Sequence, residues 1–160
     1  IEVGVVLAIV LFVRRVMQTS NISMLEGHRL AATEDDEVAS MENTDRLDIP
    51  DGVEVYEIDG PFFFGLASRF EELEQMKKPG TKVRIIRMRK VPFIDSTGIN
   101  NLRNLCERTH KRGVTVILSG VTDEVHKTLV KFGVDLELGE DCIYPHIVPA
   151  LEKAKELVKK

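Results

Sequence analysis

The 160-residue chain has little of several things, and each shortage excludes a class of function. It has two cysteines, Cys106 and Cys142, 36 positions apart with no CxxC spacing, so neither a zinc site nor a disulfide framework is expected. Two reduced thiols in a cytosolic domain fit this better. The four histidines, His28, His110, His126 and His146, show no metal-ligand spacing. Tryptophan is absent and aromatics make up only 6%. No dense Lys/Arg stripe is interleaved with aromatics, so nucleic acid is not an expected partner. No glycine-rich P-loop is present, and no base, metal set or cofactor loop points to an enzyme.

Enough hydrophobic sequence is present, at 43%, to bury a core. The net charge of -4 hides a sharp partition. Residues 1–18 sum to +1, residues 19–51 to -7 and residues 52–160 to +2.

These three stretches read as three physical roles. Val3 to Val13 is almost unbroken apolar sequence, closed by Arg14 and Arg15. Eleven residues at about 1.5 Å each cannot cross a hydrocarbon core of roughly 30 Å. A basic pair after the run, with none before it, does not fit a signal peptide. Residues 1–16 are therefore expected to be the end of a transmembrane helix that starts outside this sequence, with Arg14–Arg15 at the cytoplasmic face. A buried helix of a soluble domain is the alternative. Residues 17–51, with the run Glu34-Asp35-Asp36-Glu37, read as an acidic solvated linker.

From residue 52 to 160, short apolar runs alternate with amphipathic stretches. Val53–Ile58, Val83–Met88 and Val114–Leu118 read as strands, Phe62–Phe64 is a further short apolar run, and Val134–Leu138 reads as an edge strand. Helices are expected from Gly65 to the Pro79-Gly80 stop, with Leu66, Phe70 and Leu73 inward; over Ile99, Leu102, Leu105 and Cys106; from an Asp123 cap through Val125, Leu129 and Phe132; and over Ile147, Ala150, Leu151, Ala154, Leu157 and Val158. The fold class is α/β, a mostly parallel sheet with about four helices packed against it.

The most informative segment is Met88 to Ile99, MRKVPFIDSTGI. It joins a buried strand to a helix, so Asp95, Ser96 and Thr97 fall at the helix N-terminus. Short oxygen-bearing side chains there accept hydrogen bonds from the unpaired first-turn N–H groups. Gly98 permits close backbone approach. The positive helix end also favours a phosphate, bound or attached to Ser96, although the neighbouring Asp95 opposes it. Capping and anion chemistry both explain these residues.

The stretch Ile94 to Ile99 resembles the signature loop of STAS domains, the fold shared by anti-sigma factor antagonists and the cytoplasmic tails of SulP transporters. Val55 to Gly65, Met88 to Asp95 and the N-terminal apolar run with its arginine pair resemble the SulP versions. The resemblance implies a regulatory and assembly domain of a secondary anion transporter for sulfate or a related anion, on the cytoplasmic side of the inner membrane. It also implies a set of partners: the transporter's own membrane domain, the membrane through residues before Met17, a second copy as a homodimer, and a regulatory protein or kinase. In the antagonists a loop serine is the kinase target; that role falls here on Ser96, with Thr97 next to it. Some STAS domains bind nucleotides near this loop, which marks Asp95 to Gly98 as the contact; no other cofactor is implied. A stand-alone anti-sigma factor antagonist-like phospho-switch is the alternative function.

Overall fold

The computed structural model describes residues 2–19, 21–24, 29–30, 47–60 and 79–159. The apolar run at Phe62–Phe64 and the expected helix from Gly65 lie outside the described residues.

The first element is helix α1, Glu2–Thr19. Four strands form the main sheet: β1 (Asn21–Met24), β4 (Val53–Asp59), β5 (Val83–Lys90) and β6 (Thr115–Ser119), in the order β1-β4-β5-β6. β4, β5 and β6 run parallel, and β1 lies antiparallel on β4. A separate two-stranded pair joins β2 (Arg29–Leu30) to β3 (Leu47–Asp48). Helices α2 (Ser96–Lys111), α3 (Asp123–Lys131), α4 (Val134–Leu138) and α5 (Ile147–Lys159) complete the described chain.

A parallel sheet covered on both faces needs apolar side chains on both. Val83 to Met88 is accordingly buried at every position, and so is Val53 to Ile58. The broken alternation at Val55–Tyr56 follows from this, since each residue has its own core to enter. Val53, Val55, Val83, Ile85 and Ile117 meet Ile147, Ala150, Leu151 and Ala154 of α5. Ile58, Ile86, Met88 and Leu118 meet Ile99, Leu102 and Leu105 of α2 and Val125 and Leu129 of α3 on the other face. Phe132, expected inward, is exposed at the C-cap of α3.

Three local expectations are corrected. Val134–Leu138 is helix α4 and not an edge strand. Over five residues, Val134 and Leu138 satisfy the i,i+4 spacing of a helix as well as the alternation of a strand. The helix wins because Gly133 enters it in a left-handed conformation and Arg103 Nε of α2 holds Glu137 at 2.9 Å. The outer edge of β6 instead meets Ile143, through one parallel bridge. The α3 cap is Thr122, whose Oγ1 accepts from Val125 N; Asp123 is the first helical residue. Asn21–Met24, read as part of the linker, pairs with β4 along its whole length, since backbone pairing needs no apolar side-chain pattern.

Candidate functional site

At the end of β5 the chain turns toward α2. Val91 N–H donates to Met88 C=O at 2.9 Å, and Val91 and Ile94 are buried under the α2 face. Phe93 between them stays 45% exposed. These two anchors fix the entry of α2 and leave the residues between and after them at the surface.

Asp95 then caps the helix. Its backbone is extended (φ -95, ψ 178), and its Oδ1 accepts from Gly98 N at 2.6 Å. Its own C=O accepts from Ile99 N at 2.9 Å. Ser96 is the first helical residue and exposed, Thr97 is half-buried, and Gly98 is buried. The structure thus divides duties that the sequence left merged. Asp95 does the capping. Among the described residues the Ser96 hydroxyl has no hydrogen-bond partner, and it faces solvent in the first turn, where the helix dipole favours negative charge.

This division makes a direct prediction. Asp95→Ala should cost about 1 kcal/mol of stability, the usual loss for a cap. Ser96→Ala should stay within about 0.5 kcal/mol, as at other exposed sites. Urea unfolding of the two variants checks this; equal losses would put Ser96 in the cap.

Behind the turn lies a chain of charges. Glu57 of β4 meets Arg87 of β5 at 3.5 Å and Lys90 Nζ at 2.7 Å, and Lys90 reaches Asp59 at 3.6 Å. The hydrogen bond from Lys90 to Glu57, followed by the attraction of that carboxylate, pushes the Lys90 pKa up.

A concavity of about 600 Å³ lies between α2, α4 and β6. Its lining includes Cys106, His110, Val116 and Leu138, and none of Asp95 to Gly98. Both cysteines are free, and burial pushes the Cys106 thiol up to about 12, which makes it a poor nucleophile. Among the described residues no group of three or more His, Cys, Asp or Glu side chains is placed to hold a metal.

Sequence reasoning missed a buried polar cluster on the α2 side of the sheet. Glu54 Oε2 lies 3.2 Å from Arg84 Nη2 and accepts from the Tyr56 hydroxyl at 3.2 Å, while Oε1 accepts from Thr81 Oγ1 at 2.8 Å. The signal was available: two arginines within the otherwise apolar run VRIIRM require buried partners. In register, Glu54 and Glu57 of β4 face Arg84 and Arg87 of β5.

The STAS domain family model matches residues 46–154, which takes in the whole parallel sheet, the capped turn and most of α5. The chain belongs to the STAS family. Among solved structures, this STAS domain is 43% identical to a sulfate transporter family protein from Wolinella succinogenes (TM-score 0.67), covering 79% of this chain and all of that one. It is 36% identical to the STAS domain of a SulP transporter from Vibrio cholerae (TM-score 0.63), covering 71% of this chain and 89% of that one. A Bacillus subtilis protein named as a sulfate transporter, YvdB, is 28% identical over 149 residues. That match takes 91% of this chain and 25% of the relative, so the chain spans about a quarter of that protein's length. An anti-sigma factor antagonist from Thermotoga maritima, at 19% identity and a TM-score of 0.56, shares the fold. The SulP and sulfate-transporter domains are the better matches.

Proposed function

We propose that this STAS domain is the cytoplasmic regulatory and assembly module of a secondary anion transporter, carrying sulfate or a related anion, at the inner membrane. The observation that carries the reading is α1. From Glu2 to Arg15 every residue is exposed, and Val3, Leu7, Ile9 and Phe12 each leave more than half their surface uncovered. A soluble domain does not present such a surface to water. No helix among the described residues is long and apolar enough to cross a membrane. In this reading α1 is the cytoplasmic end of a longer span, and Arg14–Arg15 mark the cytoplasmic boundary.

The reading assigns the chain no catalysis and no cofactor. Transport chemistry belongs to the membrane part, and this domain acts on it by contact. Ser96 is the natural switch point, because its hydroxyl is exposed and has no capping duty. Phosphorylation there adds roughly -1.5 to -2 charges beside Asp95 at the start of α2. Asp95 and Thr97 flank the switch, and the Gly98 amide donates to the Asp95 cap.

Sulfate uptake by the full-length protein, compared with a chain ending at Met17, tests the function. The truncated chain should lose most of its uptake. Ser96→Asp should shift the rate while Ser96→Ala keeps the fold. Protease protection that placed Arg14–Arg15 outside the cell would defeat the reading. So would a gene in which no membrane-spanning sequence precedes Val3; that outcome favours the stand-alone antagonist, whose fold the domain shares.

A further inference from the structure

β1 fixes which end of the domain meets the membrane. Its antiparallel register places Asn21 opposite Asp59, and Asp59 lies opposite Lys90 on β5. Helix α1 ends at Thr19, only two residues before Asn21. Two residues reach at most about 7 Å, so α1 enters the domain at the carboxyl end of the parallel strands. The same end carries the turn from Val91 to Asp95 and the N-termini of α2 and α3. The uniform exposure of residues 2–15 shows that α1 does not pack back along the sheet.

From this tether, and on the transporter reading above, we infer that the carboxyl end of the sheet, centred on Phe93 and the turn before Ser96, docks on basic cytoplasmic loops of the membrane part. The opposite end of the sheet points away from the bilayer.

Charge supports the same orientation. At the carboxyl end, Asp59, Asp123 and Glu124 are exposed, and among the described residues neither Asp123 nor Glu124 has a cationic partner. The nearby cations are Arg89, which is half-buried, Lys127 one turn into α3, and Lys90, which is already held by Glu57 and Asp59. At the far end the exposed cations Lys82, Lys111, Arg112, Lys131, Lys155 and Lys159 outnumber the exposed carboxylates Asp51, Glu107 and Glu156. Cytoplasmic loops of membrane proteins carry an excess of Lys and Arg, so they attract the first end and repel the second. Anionic lipid exerts the contrary pull on the cationic end. Distance decides between them. The eight residues of β5 span about 26 Å at roughly 3.3 Å each, against a Debye length of about 8–10 Å. A cationic end held that far off feels little of the lipid field. Phe93, an exposed aromatic ring at the same end of the sheet, supplies the kind of apolar anchor on which interfaces concentrate their energy.

The docking places Ser96 three residues from Phe93, at the margin of the contact. A phosphoryl group there would change the charge that faces the loops, which gives the switch a route to the membrane part.

Zero-length carbodiimide cross-linking of the full-length transporter in native membranes, followed by peptide mass spectrometry, tests the orientation. Asp59, Asp123 or Glu124 should be joined to lysines of the membrane part, and Phe93→Ser should lower that yield severalfold while the domain keeps its unfolding midpoint. Links running instead from Lys82, Lys155 or Lys159 to membrane-part carboxylates overturn the docking, as do links from neither end. In those cases the transporter reading stands. A full-length chain lacking membrane spans removes that reading, and the docking with it.

Discussion

Replacing Arg84 with methionine is expected to cost about 3–5 kcal/mol of folding free energy, because it strands a buried carboxylate. Glu54 and Arg84 are each only 3% exposed. Arg84 Nη2 sits 3.2 Å from Glu54 Oε2, and its guanidinium carbon lies 5.1 Å from the Tyr56 ring centroid. Without the arginine, Glu54 keeps its donors from Tyr56 and Thr81 but loses the guanidinium that faces its Oε2. Burial, ahead of the nearby charges, pushes Tyr56 up to about 12, so the phenol stays a neutral donor at any physiological pH and cannot replace a cation. A domain of this size is stable by about 5–15 kcal/mol in total, so the single change removes a large share.

The double variant Glu54→Leu/Arg84→Met should lose less than Arg84→Met alone. Removing both charges together avoids the stranded ion and leaves neutral hydroxyls, those of Tyr56, Thr81 and Thr109, without the pair's groups, at about 1–3 kcal/mol for a buried group left unsatisfied. Urea denaturation of the two variants beside the parent decides it. If Arg84→Met lost no more than an ordinary surface substitution, the pair would be incidental to stability.

The pair also bears on register. Glu54 and Glu57 face Arg84 and Arg87 at the same three-residue spacing, on opposite faces of the sheet. Slipping β4 by one residue would bring each carboxylate opposite an apolar neighbour and turn its side chain toward the wrong face. Apolar packing alone discriminates weakly here, since β4 and β5 bury side chains on both faces. Two charge pairs supply the missing discrimination.

Much of the fold was legible because its signals were long or redundant. The stripe Ile99, Leu102, Leu105 spans two turns, and Ile147, Ala150, Leu151, Ala154 spans two more; both are found buried where the period places them. The runs at Val53, Val83 and Val114 are apolar enough to be buried strands under any reading. What failed was short. Five residues at Val134 cannot separate a period of 2 from one of 3.6, and four at Asn21 carry no period at all. Their structure is set by partners: Arg103 and two flanking glycines for the first, the edge of β4 for the second. The candidate site was legible in place but not in assignment. Asp95, Ser96 and Thr97 all have oxygens of the right reach, and only backbone geometry shows that Asp95 holds the cap and Ser96 is left over. The charged cluster is hidden in the pattern because Arg84 and Arg87 sit inside an apolar run, and their partners Glu54 and Glu57 lie some 30 positions earlier on β4.

Gly120 connects this frame to the turn, and its replacement has the second largest expected effect. It follows β6 with φ at +66, and a Cβ there would lie 2.9 Å from both the backbone N and the Cβ of Arg89. Alanine must therefore bear a left-handed backbone and also displace β5 one residue before its end. Gly113 offers a matched control. Its φ is +73, and nothing lies within 4 Å of an added Cβ. Gly113→Ala should cost about 1–2 kcal/mol, the strain of the left-handed conformation alone. Gly120→Ala should cost at least about 1 kcal/mol more, from a backbone contact that no side-chain rotation relieves. For a domain of about 110 residues the extra loss corresponds to roughly 4 °C in Tm. The displacement should also travel. Arg89 lies two residues before Val91, whose buried side chain fixes the entry to α2, so the Asp95 cap should loosen. Hydrogen exchange at the Gly98 amide should then speed up in Gly120→Ala and remain unchanged in Gly113→Ala. Equal melting temperatures and equal exchange would mean that the β6–α3 loop yields freely, and that the turn carrying Ser96 is held from the α2 side alone.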